Sequence, residues 1–193
     1  MANKANEVDL RSRKSKRAIG KAFVQLLADK SFETISVIEI TTLAEIGQST
    51  FYRHYRDKYD LGRHVINYYL DHFGQLYIQR LDTKGSSSSA QPSDTRYAAL
   101  LAGLRVLYTI NTAELNFEDC AIAHIAQRIE HDFLASSLDL KFPDEIAHGL
   151  ATLTYCFIVN MVRRGKSYSI PELRDRIREF QYALTELNIA LRV

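Results

Sequence analysis

A chain of 193 residues, 46% apolar and 25% charged, has enough hydrophobic side chains to bury its own core in one large or two small domains. No run approaches the roughly 18 consecutive apolar residues of a membrane span, and Met1 to Asp9 has no apolar stretch of a secretory signal, so the expected compartment is the cytoplasm. Two cysteines, Cys120 and Cys156, form no disulfide framework and lack zinc-finger spacing, which excludes those extracellular and metal-stapled classes. The net charge of +2 is unevenly placed: residues 1–22 hold seven basic side chains against two acidic ones, whereas from residue 61 onward 14 basic residues meet 15 acidic. A basic end ahead of a near-neutral body suits a polyanion, although on charge alone a solvated run reads the same way.

Glycine (8) and proline (3) are sparse and apolar residues recur at helical spacing, so the fold class is all-α. Ile19, Ala22, Phe23, Leu26 and Leu27 form the stripe of a first helix from about Ser12 to Lys30. Ser36 with Glu39 three residues on is a capping box that opens a short second helix to Ala44. A third runs from Gln48 to Tyr55. Asp57 caps a long fourth, with Leu61, Val65, Tyr69, Phe73 and Leu76 on one face, fading near Leu81. The Gly/Ser/Pro-rich stretch 83–93 reads as a flexible loop. Asp94 opens a fifth helix, and a sixth spans Phe117 to Leu134. Pro143 stands at a helix start, and Ile146 to Val162 is apolar on nearly every side. From Pro171 a last helix carries Leu173, Ile177, Phe180, Leu184, Leu187 and Leu191 at heptad spacing.

Two short helices separated by Ala44-Glu45-Ile46-Gly47 have the size and spacing of a helix-turn-helix, whose second helix enters the major groove N-terminus first. Gln48, Ser49 and Thr50 are short enough to bond a base edge without holding the backbone away. Tyr52, Arg53, His54 and Lys58 are donors for phosphates, joined by Arg11, Arg13 and Lys14 of the basic N-terminal arm, and the amides opening the fourth helix offer another anion site. Phe51 and Tyr55 read as the hydrophobic underside. A helical hairpin with a polar surface has the same spacing.

The string Phe32-Glu33-Thr34-Ile35-Ser36-Val37, with Ile40, then Ile46 through Lys58 (IGQSTFYRHYRDK) and Leu61, closely resembles the DNA-binding domain of the TetR family of transcriptional regulators. The likeness covers roughly residues 12–63. The rest is similar in helical plan, with a weaker likeness to a C-terminal type common among Gram-positive members. The resemblance implies a helix-turn-helix head with its arm over 1–56 and a helical effector-binding and dimerisation body over 57–193, with 57–82 as connecting helix. It implies DNA contacts at Ser36, Thr50, Tyr52, His54 and Lys58, bases or phosphates at Gln48 and Ser49, and a core Phe51. Three positions depart from the family pattern: Glu45 stands where glycine is usual, Thr41 where alanine is, and Gly47 where a capping serine is common.

The expected protein is a homodimeric repressor of a palindromic operator on double-stranded DNA, re-tuned by a small effector, with no enzyme activity, cofactor or membrane partner. An activator of the same family is the alternative. Phe73, Tyr77, Tyr108, Asn111, His124, Tyr155 and Asn160 are candidates for an effector pocket between body helices, each also readable as core or surface. The dimer is expected on Ile146 to Val162, including Phe157 and Met161, together with the last helix's heptad seam. Gly165-Lys166-Ser167 lacks the upstream glycine and strand of a P-loop. Cys120, His124 and His131, with Gln127, share one helical face; they read as the polar side of an amphipathic helix, with a metal-binding protein or small enzyme as the distant alternative. An interaction protein that kept the motif and lost DNA binding is a third reading.

Overall fold

The computed structural model describes residues 2–83, 95–136 and 139–164 and, beyond them, Glu172, Asp175, Arg176, Arg178, Glu179 and Tyr182. Among these residues there are seven α-helices and no strand, in agreement with the all-α expectation. They are α1 (Ala2–Asp29), a 3-10 turn (Phe32–Thr34), α2 (Val37–Leu43), α3 (Gln48–Tyr52), α4 (Lys58–Thr83), α5 (Thr95–Leu107), α6 (Phe117–Ala135) and α7 (Pro143–Arg164). The expected loop 83–93 beyond Thr83 lies outside the described residues. So do the seam positions Leu173, Ile177, Phe180, Leu184, Leu187 and Leu191.

α1 begins at Ala2, well before Ser12, because residues 2–11 contain neither glycine nor proline to stop it. The segment expected as an arm is therefore helical. Ile19, Ala22, Phe23 and Leu27 are buried along one stripe and meet Phe32, Ile35, Ile40, Phe51, Leu61 and Ile66 in a core that continues into α5, α6 and α7.

The turn between α2 and α3 takes a specific form. Ala44 closes α2; the Glu45 amide donates to Thr42 O at 3.1 Å and the Ile46 amide to Thr41 O at 3.0 Å, the paired bonds of a Schellman motif. Its left-handed residue is Glu45, at φ 55°. Gly47 is extended, at φ −73° and ψ 148°, and serves as N-cap of α3. Thr41 is buried, and its hydroxyl returns to the carbonyls of Val37 and Ile38, both at 3.0 Å, so the added oxygen is satisfied within its own helix.

The later helices are pinned by close approaches. α4 lies against α5 where Gly103 leaves room for the Tyr69 ring; a methyl there would sit 1.9 Å from Tyr69 Cε1. Arg105 Nε of α5 donates to Val162 O at 2.7 Å, a cation placed on the last turn of α7. The most extensive helix pairing is α6 with α7. Asn116 caps α6, its Oδ1 accepting from the amides of Glu118 at 2.8 Å and Asp119 at 3.3 Å.

α7 buries Ala147, Ala151, Tyr155, Ile158, Met161 and Val162, while Ile146 and Leu150 stay 39% and 42% exposed. It is the one described helix long and apolar enough, by length and composition, to cross a membrane. Its packing face accounts for half of that apolar character.

The left-handed Glu45 yields a direct expectation. Replacing it by glycine removes a strained Cβ and raises stability by about 0.5 to 1 kcal/mol, whereas Glu45→Val lowers it. Thermal unfolding of the two variants checks this; a lower midpoint for Glu45→Gly contradicts it.

Candidate nucleic-acid interface

The interface candidates are held by local chemistry before any long-range packing. Ser36 Oγ accepts from the Glu39 amide at 3.2 Å, and Glu39 Oε2 accepts from both the Ser36 amide and its hydroxyl at 2.9 Å, the capping box expected from the sequence. Glu39 also pairs with Lys30 at the end of α1. The Lys30 bond and the two Ser36 bonds hold the Glu39 carboxyl at about 2, well below its ordinary 4.5. Ser36 is thus first a helix cap, its hydroxyl proton already committed to Glu39.

α3 has only five residues, too short to be stable alone, and is anchored by the fully buried Phe51 and by Tyr55 just beyond it. Gln48, Ser49, Tyr52 and Arg53 are exposed, and Thr50 is half-buried. Tyr52 is 55% exposed and stands edge-on to Phe51 at 5.4 Å. The polar residues named for base edges therefore lie on the open side of a helix whose other side is core.

His54 is half-buried, and its Nε2 has no hydrogen-bond partner among the described residues. Burial, then the charges of Arg53 and Lys16, push its pKa below the ordinary 6.5, so its ring is neutral at neutral pH. The positive charge near His54 comes instead from Arg53 and from Lys16 of α1. Lys16 was overlooked among the arm cations, since nothing in a run of lysines and arginines says which one a later helix approaches. Arg11, Arg13 and Lys14 are exposed on α1.

Lys58 is the largest departure from expectation. Instead of pointing outward for a phosphate, its Nζ donates to Glu33 O at 2.8 Å, Ile35 O at 2.9 Å and Phe32 O at 3.0 Å, using all three protons. It also lies 4.9 Å from the Phe32 ring centroid and 5.7 Å from that of Tyr59. The start of α4 is likewise taken by the chain's own carboxylates rather than left open to an anion. Asp57 Oδ1 accepts from the Asp60 amide at 2.7 Å, and Asp60 Oδ2 accepts from the Arg56 amide at 3.0 Å.

Of the residues proposed for an effector pocket, Tyr108 and Tyr155 both meet Phe117, and the others have different neighbours. Phe73 is core, stacked on Tyr97 at 5.5 Å; Tyr108 meets Phe117 edge-on at 5.9 Å; Asn111 is exposed and accepts from Asn116 Nδ2 at 2.8 Å. Tyr155 is buried and donates to Glu118 Oε2 at 3.3 Å, its phenol pushed up first by burial and then by Glu118. Asn160 is half-buried on α7, and the side chain of Tyr77 lies outside the described residues. His124 Nε2 is 3.0 Å from Asp71 Oδ1 of α4, with Arg128 Nη1 3.7 Å from the same oxygen, while His131 is exposed and Cys120 is half-buried with its thiol pushed up by that burial. Among the described residues no group of three or more His, Cys, Asp or Glu side chains is arranged to hold a metal. Of the expected dimer residues, Met161 faces inward, receiving the Tyr97 hydroxyl at its Sδ at 4.0 Å; Phe157 is half-buried.

No protein-family model matches the chain, and no curated protein matches it.

Two measurements follow from these bonds. Lys58→Met keeps the aliphatic stem but strips three carbonyls of their donor, so stability falls by about 2 kcal/mol, read by urea unfolding. The slope of log affinity for DNA against log salt stays as in the wild type; a slope reduced by about one unit at unchanged stability would put the ammonium on a phosphate instead. Glu39, with its carboxyl held at about 2, contributes stability that is fully present above pH 4.5 and is lost as pH falls from there toward 2. Urea midpoints should therefore drop more steeply over that window for wild type than for Glu39→Gln, and parallel declines would contradict the assignment.

Proposed function

We propose that this protein is a DNA-binding transcriptional regulator, a homodimeric repressor of a palindromic operator whose affinity a small effector re-tunes. The observation that carries the reading is the capped α2, Schellman turn and α3 unit, which turns Gln48, Ser49, Tyr52 and Arg53 outward while Phe51 and Tyr55 anchor its underside. The TetR-like string over Ile46 to Lys58 supports the same reading. In it, Gln48, Ser49 and Thr50 read base edges. Tyr52, Arg53 and Lys16 meet the backbone, and Arg11, Arg13 and Lys14 add charge along α1.

A single head covers one half-site, so reading a palindrome needs two heads on successive major-groove faces. The open side of α7, with Ile146 and Leu150, is the surface on which a second copy packs, together with the last helix. The bundle that results fixes the separation of the two heads, and an effector acts by changing that separation.

Two substitutions test the division of labour. Thr50→Ala lowers discrimination between matched and mismatched duplexes by about 1 to 3 kcal/mol, while Tyr52→Phe weakens both duplexes alike. Fluorescence anisotropy on both duplexes separates them. Loss of discrimination in Tyr52→Phe with none in Thr50→Ala would reverse the assignment, and a wild type binding all duplexes equally would refute sequence reading.

A further inference from the structure

The turn that leads into α3 carries two costs at one residue. Among the described residues Glu45 is the one non-glycine side chain on a positive φ, at 55°, a conformation that glycine adopts without strain. It is also the single acid in residues 40–56, two positions ahead of the N-cap of α3, in the part of the chain that the DNA-binding reading brings to a polyanion. Neither cost is offset inside the chain. The Glu45 side chain is exposed and makes no hydrogen bond or ion pair with another described residue. The acids on either side are all employed: Glu39 caps α2 and pairs with Lys30, Asp57 accepts from the Asp60 amide, and Asp60 accepts from the Arg56 amide. The Schellman bonds of the turn use only backbone atoms, so they hold whatever residue stands there and give no reason for a glutamate. An uncompensated strain of this kind points to a use outside the free chain.

A carboxylate is an acceptor with no proton to give, so its partner on DNA must be a donor. Phosphates and sugars present acceptors alone. In the major groove the donors are the amino groups at cytosine N4 and adenine N6. The adenine amino group is flanked by its own N7 and by thymine O4, both of which repel a carboxylate, whereas cytosine N4 has an acceptor on one side only. We propose that Glu45 is a specificity-determining residue: its carboxylate accepts from the N4 amino group of a cytosine in each half-site, a contact that offsets in the complex the strain and the repulsion left standing in the free chain. This rests on the DNA-binding reading. With guanine or thymine at that position the carboxylate meets no donor, so Glu45 penalises wrong bases as well as rewarding the right one.

Selection from random duplexes, run in parallel on full-length wild type, Glu45→Gln and Glu45→Gly, tests this. Glu45→Gln keeps the length and the left-handed turn while removing the charge. Glu45→Gly removes the side chain from a turn that glycine relaxes, so a lost preference is not lost folding. The wild type should enrich cytosine at one position of each half-site, against the other three bases by about 5- to 20-fold. Glu45→Gln should move that position toward adenine, whose N6 and N7 a glutamine bonds together, and Glu45→Gly should leave it unspecified, with the remaining positions unchanged. The same sequence enriched by all three proteins would overturn the proposal. So would a variant-sensitive position at which the wild type prefers a base other than cytosine, or a rise in affinity for every duplex alike in both variants, which marks a solvated charge that phosphates repel. A wild type that enriches no sequence refutes the DNA-binding reading itself, before the variants are compared.

Discussion

Phe32 is the point at which the N-terminal helices are joined. It starts a 3-10 turn whose carbonyls need more donors than the Ile35 amide, 3.3 Å from Phe32 O, supplies, and its ring is buried between Phe23 of α1 and Tyr59 of α4, at centroid distances of 6.1 and 5.1 Å. Lys58 resolves both problems at once, donating to the carbonyls of the turn and placing its charge over the ring. Three chain segments far apart in sequence are thereby locked at one junction. It joins other approaches of α4 to α1, such as Val65 over Gly20, in framing the α2–α3 unit between them.

That junction bears on where positive charge lies around α3. A lysine used as an internal clamp and a histidine kept neutral by burial add no charge to the outward surface. Lys16 and other exposed cations of α1, with Arg53 at the C-cap of α3, carry the positive charge on this side, rather than the start of α4, where Asp57 and Asp60 stand. The surface of α3 itself is mostly neutral and hydrogen-bonding. Such a division suits a reader whose phosphate contacts orient it and whose short polar side chains inspect bases.

Features set by neighbours in sequence were legible in advance. The Ser36–Glu39 box, Pro143 at the start of α7, the buried stripe of α1 and the burial of Phe51 all follow from spacings of three or four residues. Features set by distant partners were not. Lys58 looks like any basic residue after an aromatic string until carbonyls 23 to 26 positions earlier close around it. Leu115 reads as an ordinary loop leucine until Gly62 is seen to leave room for it. The start of α1 was missed because a polar stretch without breakers carries no apolar periodicity, and the Asn116 cap because no glutamate stands three residues later to complete a box. The neighbours of the pocket candidates are hidden for a related reason: aromatic and polar identity says nothing about which side of a helix faces a neighbour.

The central claim is that the outward face of α3 touches DNA. Backbone amide NMR of the full chain, titrated with a duplex selected from a random pool, tests it most directly. The account predicts that the largest shifts fall on Gly47 through Arg53, with smaller ones along α1 near Lys16 and little change on the outer face of α7. Shifts concentrated on α6 and α7 with Gly47 to Arg53 unmoved, or no saturable shifts at all, would contradict it.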